Sequence, residues 1–404
     1  MAQSDRIILH IAGPDRPGIT AKLAEVLASE HARLVNIGQS VLHGYLNLSA
    51  VVDLPTTSGA LREILFSVSA LGLKVDVSPF TAEMGGTAFP PRSALCVSFL
   101  GALGDGSSLA QITRYIASKN LNIRQIRPLS DDGISGVELI ADSAGHELTD
   151  ADVHQLRGDL LALGHKLQVD MAIQRDDIFR RNKRLVCMDV DSTFVNGELI
   201  DELAALVGVK DQVAAITKRA MAGELDFSQA LRERVRLLKG LPIERAKSLS
   251  DQFELNPGAE IFVKILKNLG FRVGLVSGGF DFFVDQLRER FTLDFAFANK
   301  LETQDGLITG EVVGDIVDPQ RKAQLLRDMA KTYEVRLEQT VAIGDGANDI
   351  FMLQTAGLGI AYRGKAKLQA VADMSLNHNE GRLDALLHLM GFTAQELAGI
   401  ANSQ

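Results

Sequence analysis

The apolar positions along this chain switch repeatedly between two periods. Arg6–Ala12 (RIILHIA) reads as a strand, stopped by Gly13-Pro14-Asp15-Arg16-Pro17-Gly18, after which Ile19, Leu23, Val26 and Leu27 recur at helical spacing. Leu34–Leu42 and Leu46–Leu54 alternate like a strand pair around His43-Gly44-Tyr45. Residues 58–71 return to the helical period, and Leu73–Val77 closes the unit as a fourth strand. The order is βαββαβ, and it begins again near residue 93. Leu9-His10-Ile11 corresponds to Leu95-Cys96-Val97, and Asn36-Ile37-Gly38-Gln39 to Asn122-Ile123-Arg124-Gln125, at one constant offset. Lys74-Val75-Asp76-Val77 resembles Leu167-Gln168-Val169-Asp170 after a small insertion at the Asp131-Asp132-Gly133 hairpin. A constant offset of this kind indicates duplication. In this order helices cover only one face of a four-stranded antiparallel sheet. The other face must be covered too, which predicts packing against a neighbouring module or subunit.

From residue 175 the pattern changes. Arg175–Arg184 is a charged run, the signature of a solvated boundary. Leu185-Val186-Cys187-Met188 then runs apolar into Asp189, with Asp191 two residues on. Such a run predicts a strand buried on both faces. Asp189 then falls at the carboxyl edge of a parallel sheet, where open α/β sheets bind ligands. Two acids in one turn call for a cation, a shared proton or a phosphate-bearing metal site; a strand end followed by a helix cap is the plainer alternative. Helical periodicity holds from Thr193 to about residue 253, with Pro242 opening the last helix, and predicts a cap inserted over the strand ends. The α/β pattern resumes with Val273-Gly274-Leu275-Val276-Ser277-Gly278-Gly279, a hairpin signal at Asp305-Gly306, a helix carrying Lys322, and Val341-Ala342-Ile343-Gly344-Asp345-Gly346-Ala347-Asn348-Asp349.

Composition narrows the partners. At 404 residues, with 46% hydrophobic and 23% charged positions, the chain has the make-up of two or three soluble domains. A net charge of -9 argues against nucleic acid or an anionic membrane as partner, because either wants a basic face. The two cysteines, Cys96 and Cys187, sit in apolar runs and fit a reducing compartment. No stretch is long and apolar enough for a membrane span, and residues 1–6 lack a signal-peptide core, so a cytoplasmic location is expected.

Three predicted strands thus end in chemistry: Asp189-x-Asp191, Ser277-Gly278, and Asp345-x-x-Asn348-Asp349. On one sheet edge, with Lys322, they suit a hard divalent cation with oxygen ligands, Mg²⁺ above all, sharing a phosphate with an amine and backbone N–H donors. Asp189 is then free to attack phosphorus and form an aspartyl-phosphate. The ordered set resembles the four motifs of the haloacid dehalogenase superfamily, and Asn196–Leu203, Ile216–Met221, Leu231–Val235, Val276–Phe280 and Phe295–Asn299 resemble its phosphoserine phosphatase branch. The resemblance implies a Rossmann-like parallel sheet with a helical cap at about 196–256, within a domain from 185 to 404. It implies Asp189 as nucleophile, Asp191 as the acid and base, and Asp189, Asp345 and the Asp191 carbonyl as ligands of Mg²⁺. Ser277, Gly278 and Lys322 (favoured over Arg321 beside it) would hold the phosphoryl group and Asn348 would contact substrate. Asp349 would orient Lys322 or the metal's waters, Glu198 and Arg234 would bind the ammonium and carboxylate of O-phosphoserine, and Phe227 and Met221 would wall off water. From the residues alone, Arg232-Glu233-Arg234-Val235-Arg236 is equally an exposed charged helix face, and Phe227 a core residue.

The two repeats, residues 1–82 and 90–174, resemble ACT domains, followed by a linker at 175–184. That resemblance implies ferredoxin-like folds, a homodimer through the ACT sheets, and a free amino acid such as serine bound near Asp15, Gly18 and Asn36. The second repeat has Gly104-Asp105-Gly106-Ser107-Ser108 at the equivalent turn, without the Pro-Gly pair. A phosphotransferase or broader phosphatase on the same site, and an amino-acid sensor with a vestigial phosphatase, are the competing expectations. The intact Asp189, Asp191, Lys322 and Asp345 weigh against the sensor.

Overall fold

The computed structural model describes residues 4–55, 59–81, 94–101, 103–130, 135–143, 147–250 and 252–401. The Asp131-Asp132-Gly133 turn and the expected boundaries at 82 and 90 lie outside them. The chain divides into two compact units, Met1–Pro91 and Arg92–Gln404.

The first unit runs β1 (Ser4–Pro14), α1 (Ile19–Ser29), β2 (Arg33–Leu42), β3 (Tyr45–Pro55), α2 (Ala60–Ala70) and β4 (Lys74–Pro79). Its sheet is antiparallel in the order β2-β3-β1-β4. Alternation along β1 and β3 sends Leu9, Ile11, Leu48, Ala50 and Val52 to one face, where Leu23, Leu27, Ile64 and Val68 of the helices close a core. Gly18 caps α1 at φ +96°, a conformation that L side chains adopt only with strain.

The second unit opens with the same order: β5 (Ala94–Leu100), α3 (Ser107–Ser118), β6 (Leu121–Pro128), β7 (Gly136–Ser143), α4 (Asp150–Leu167) and β8 (Asp170–Arg175). Its strands also repeat the arrangement, β6-β7-β5-β8, with a separate helix-covered core around Phe99, Ile112, Leu139 and Leu160. The sheet does not stop at β8. β8 pairs antiparallel with β15 (Met374–Leu376), Met374 opposite Ala172 and Ser375 opposite Met171, so one eleven-stranded sheet runs through the whole unit.

The rest of that sheet belongs to an α/β domain. β9 (Leu185–Met188) leads to α5 (Leu199–Leu206), α6 (Lys210–Met221), α7 (Phe227–Arg236) and α8 (Ile243–Ser250), then α9 (Ala259–Asn268), β10 (Arg272–Phe280), α10 (Asp281–Phe291) and the hairpin β11 (Phe295–Gln304)–β12 (Leu307–Val313). After it come α11 (Pro319–Thr332), β13 (Thr340–Gly344), α12 (Ile350–Thr355), β14 (Gly359–Tyr362), α13 (Ala366–Gln369), β15, α14 (Ala385–Leu389) and α15 (Ala394–Ala401). β11, β10, β9, β13, β14 and β15 are parallel neighbours, with β12 antiparallel on the outer edge. β9 is buried on both faces, as its apolar run requires. Val186 and Met188 pack into the cluster with Phe262 and Phe283 of α9 and α10, while Leu185 and Cys187 join Leu326 and Met352 of α11 and α12. The four cap helices α5–α8 leave the sheet and return side by side, through the Val195–Leu255 bridge and an Asn196 N–H to Glu254 carbonyl bond of 2.8 Å.

The charged run 175–184 is only partly a solvated face: Asp177, Ile178, Arg181 and Arg184 are exposed, but Arg180 and Lys183 are buried. The open face of the second repeat is covered, as expected, by a neighbouring module, here within its own chain. Leu100, Leu129 and Ala172 share a core with Leu386, Leu389 and Met390, and Arg127 donates to the Gly391 carbonyl at 2.9 Å. Buried Glu138 takes Arg180 at 2.6 Å and Arg127 at 3.0 Å.

Candidate active site

Short parallel strands deliver the site. β9 and β13 end level with each other, Met188 opposite Ile343, so Asp189 and Asp345 emerge side by side. The Asp189 N–H donates to the Ile343 carbonyl at 2.9 Å, and its carboxylate Oδ1 takes the Val190 N–H at 2.8 Å. The chain then turns sharply, with Ser192 at φ +57°, and the Asp191 carboxylate accepts the Leu199 N–H at 2.8 Å and the Ser277 hydroxyl at 3.4 Å. Ser277, at the end of β10, in turn accepts the Gly279 N–H at 2.8 Å.

Lys322 comes from the first turn of α11, which Asp318 caps by accepting the Arg321 N–H at 2.7 Å. Its fully buried ammonium lies 2.8 Å from Asp189 Oδ1 and 2.8 Å from Asp349 Oδ1. Burial would lower the Lys322 pKa, but the two carboxylates raise it above the ordinary lysine value, so it stays charged. Arg321 pairs outward with Asp328 at 3.5 Å. Asn348 donates to the other oxygen of Asp189 at 3.3 Å, Thr193 donates to Asp345 at 3.2 Å, and Asp349 accepts the Gly346 N–H at 3.1 Å.

One lysine does not balance this many acids. Burial, then the Asp189 charge, pushes Asp345 and Asp349 up to about 7. Burial likewise lifts Asp191 to about 6, against the bond from Leu199, with Asp189 adding to the rise. Ligand oxygens of Asp189, Asp345 and Asp349 lie within 4.8 Å of one another. An all-oxygen donor set with unspent negative charge fits a hard divalent cation.

The cap faces this edge. The ring of Phe227 lies against Gly278, where an added Cβ would come within 2.8 Å of it. Glu198 caps α5 at the open mouth and accepts the Ser192 hydroxyl at 3.1 Å; the surrounding protein, then the charges of Asp191 and Asp189, raise it to about 7. Arg234 on α7 is partly buried and donates to the Ala230 carbonyl of its own helix at 3.3 Å. Burial lowers its pKa, opposed by the charges of Glu198, Asp201 and Asp191.

Residues 183–357 match the haloacid dehalogenase-like hydrolase family, and residues 5–78 and 93–174 each match ACT domains. The chain is 40% identical over 395 residues to the phosphoserine phosphatase of Mycobacterium tuberculosis, across 97% of this chain and 94% of that protein. It belongs to the phosphoserine phosphatase family. A phosphoserine phosphatase of Streptomyces coelicolor is 39% identical over 97% of this chain and 93% of its own length. Among solved structures, a haloacid dehalogenase family hydrolase of Salmonella enterica serovar Typhi superposes with a TM-score of 0.63 at 28% identity, covering 74% of this chain and 99% of that one.

The fold therefore gathers Asp189, Asp191, Ser277, Gly278, Lys322, Asp345, Asn348 and Asp349 at one edge and aims Phe227, Glu198 and Arg234 toward it. Met221 ends α6 at 71% exposure, where it walls off nothing in this conformation. In the first unit, the Asp15 N–H donates to the Gly44 carbonyl at 2.8 Å, and Asn36, on the exposed strand β2, bonds its own following N–H at 2.8 Å. Two positioning residues escaped the sequence reading. The Asn256 amide donates to the carbonyls of Ser192, Thr193 and Val195 at 3.2, 2.8 and 3.0 Å, clamping the loop that follows Asp191. The buried Asn299 amide donates to the Gly278 and Gly279 carbonyls at 2.8 and 3.2 Å. Asn256-Pro257-Gly258 reads as a turn in sequence, and nothing local signals that its amide reaches back to the loop that follows Asp191.

Proposed function

We propose that the protein hydrolyses O-phosphoserine to serine and phosphate through an aspartyl-phosphate on Asp189. The observation that carries the substrate is Arg234, a guanidinium that bonds its own helix at Ala230 and lies within the electrostatic influence of Glu198 and Asp191. It offers a planar fork for a carboxylate, with Glu198 as counter-charge for the ammonium.

A carboxylate oxygen of Asp189 attacks phosphorus while the bond from phosphorus to the seryl oxygen breaks. Asp191, lifted to about 6, gives its proton to that departing oxygen. Serine leaves, and Asp191, now ionised, takes a proton from the water that attacks phosphorus and frees Asp189. Lys322, Ser277 and the N–H groups beside Gly278 stabilise charge on the transferring group. Asp349 keeps Lys322 in place. Asp189, Asp345 and the Asp191 carbonyl would hold Mg²⁺, which supplies further charge neutralisation at the phosphoryl oxygens. Phe227 shields the phosphate end; Met221 would need the cap to close further.

The protein is cytoplasmic in this reading, and among the described residues no helix is long and apolar enough to cross a membrane. A homodimer through the ACT sheets is supported by β2, an edge strand exposed along its length that carries Leu34, Val35, Ile37, Val41 and Leu42. Serine near Asp15, Gly18 and Asn36 would regulate it.

The test is a panel of phosphomonoesters with and without Mg²⁺. Asp189→Asn should bring phosphoserine turnover to background, and substantial residual turnover would sink the covalent route. Arg234→Ala should impair phosphoserine and spare an aryl phosphate; equal loss on both would favour a broader phosphatase.

A further inference from the structure

A second cleft, of about 470 Å³, lies at the opposite end of the parallel strands from the catalytic edge. Its walls come from three parts of the second unit: α4 and β8 of the second ACT module, the linker, and the segments just before β13, β14 and β15, which contribute Glu338, Gly357 and Asp373. The volume falls within the range of roughly 300–1,000 Å³ usual for small-molecule sites.

The hydrogen-bonding capacity of this cleft is unbalanced. The amide nitrogen of Gln174, only 7% exposed, and Arg157 Nε have no hydrogen-bond partner among the described residues. The Lys183 ammonium donates to the Glu338 and Gly357 carbonyls at 2.7 and 3.0 Å, which leaves one of its three protons uncommitted. The lining acids Asp150, Asp177, Glu338 and Asp373 are partly engaged elsewhere. Asp373 takes Arg157 at 2.7 Å and the Gly359 N–H at 2.7 Å, Asp150 takes Arg175 at 2.7 Å, and Asp177 accepts the Phe179 and Arg180 N–H groups at 2.8 and 3.0 Å. A buried donor without a partner is costly, so two of them lining one cleft point to a ligand that supplies the acceptor rather than to packing.

We propose that this cleft binds a small oxyanion, a phosphate or carboxylate group, between Gln174, Arg157 and Lys183, and so latches the second ACT module to the amino ends of the catalytic strands. Burial pulls the Lys183 ammonium down to about 8 against the charges of Asp177, Asp373 and Glu338, and a bound anion would add to those charges. The site is distinct from the Asp15–Gly18 turn of the first module, and it does not rest on the reaction assigned to Asp189.

Calorimetric titration of the full chain with inorganic phosphate, and separately with succinate, tests it. The wild-type protein should show a phosphate site beyond the catalytic one, or a succinate site, and the anion that binds identifies the source of the oxyanion. Arg157→Met and Gln174→Met should weaken that site by roughly ten- to a hundredfold, the range for losing one hydrogen bond to a charged group. Phosphoserine turnover should stay unchanged in both variants. Hydrogen exchange on the unaltered protein gives a readout independent of variant folding: the binding anion should protect residues 150–157 and 172–184. Binding of neither anion outside the catalytic site, equal affinity in the variants, or no protection there would overturn the proposal.

Discussion

The two ACT modules share one element order and one strand order, yet their fourth strands meet different surroundings. β4 is exposed or half-buried throughout and carries a Lys74–Asp76 pair at 3.3 Å, the charged dressing of a strand that ends a sheet. β8 is buried at every residue but the last, because β15 continues the ladder. The open faces differ in the same way. In the first module Arg6 meets Asp53 at 2.6 Å with the arginine 42% exposed, and His10 meets Ser49 on an exposed surface. In the second, Glu138 takes two arginines, one from the linker, at 4% side-chain exposure. Duplication supplied the scaffold, and burial of the second copy turned part of it into catalytic-domain core.

This contrast can be broken experimentally. Glu138→Ala leaves Arg180 with one carboxylate fewer in a buried setting and should cost about 3–5 kcal/mol. Urea unfolding followed by circular dichroism and by activity should shift together; an unmoved activity midpoint would separate the second module from the catalytic domain. Asp170→Ala is the next largest. Its carboxylate accepts the Asn377 and His378 N–H groups at 2.6 and 2.9 Å, and stranding them should cost about 1–3 kcal/mol, read from the same curves. Asp53→Ala in the first module should leave the activity midpoint where it was, because its ion pair opens to water. Removal of residues 1–91 should leave turnover of phosphoserine without added serine unchanged, and a large drop would show that the first module also supports the catalytic fold.

That the candidate site residues would gather at one sheet edge was readable because most sit in contiguous runs. Asp189 and Asp191, Ser277 and Gly278, and Asp345 to Asp349 each follow an apolar strand, and the sheet needs only parallel pairing to bring them together. Lys322 over Arg321 came from the resemblance, and the structure places Lys322 in the core while Arg321 pairs outward with Asp328. The apolar alternation also carried both repeats. What the pattern did not disclose depends on pairing across long stretches of chain. Nothing near Ala172 announces Met374 as its partner, and Arg180 looks like any residue of a charged run until Glu138 is placed beside it. Asn256 and Asn299 act through amides that bond distant carbonyls, and an isolated asparagine carries no sign of that. Met221 differs: a run resembling the family put it in the site as a wall against water, and this conformation leaves it exposed.

The pairing of β8 with β15 also bears on how the protein is made. About two hundred residues separate the two strands, and β15 lies close to the C-terminal end of the sheet domain. A ribosome therefore delivers the second ACT module long before the strand that closes its edge. Throughout that interval β8 presents unpaired N–H and carbonyl groups next to Met171 and Ile173, the kind of bare edge that recruits strands from other chains. The demand for chaperone protection during synthesis should thus centre on the second module, although in the finished molecule it is the better buried of the two.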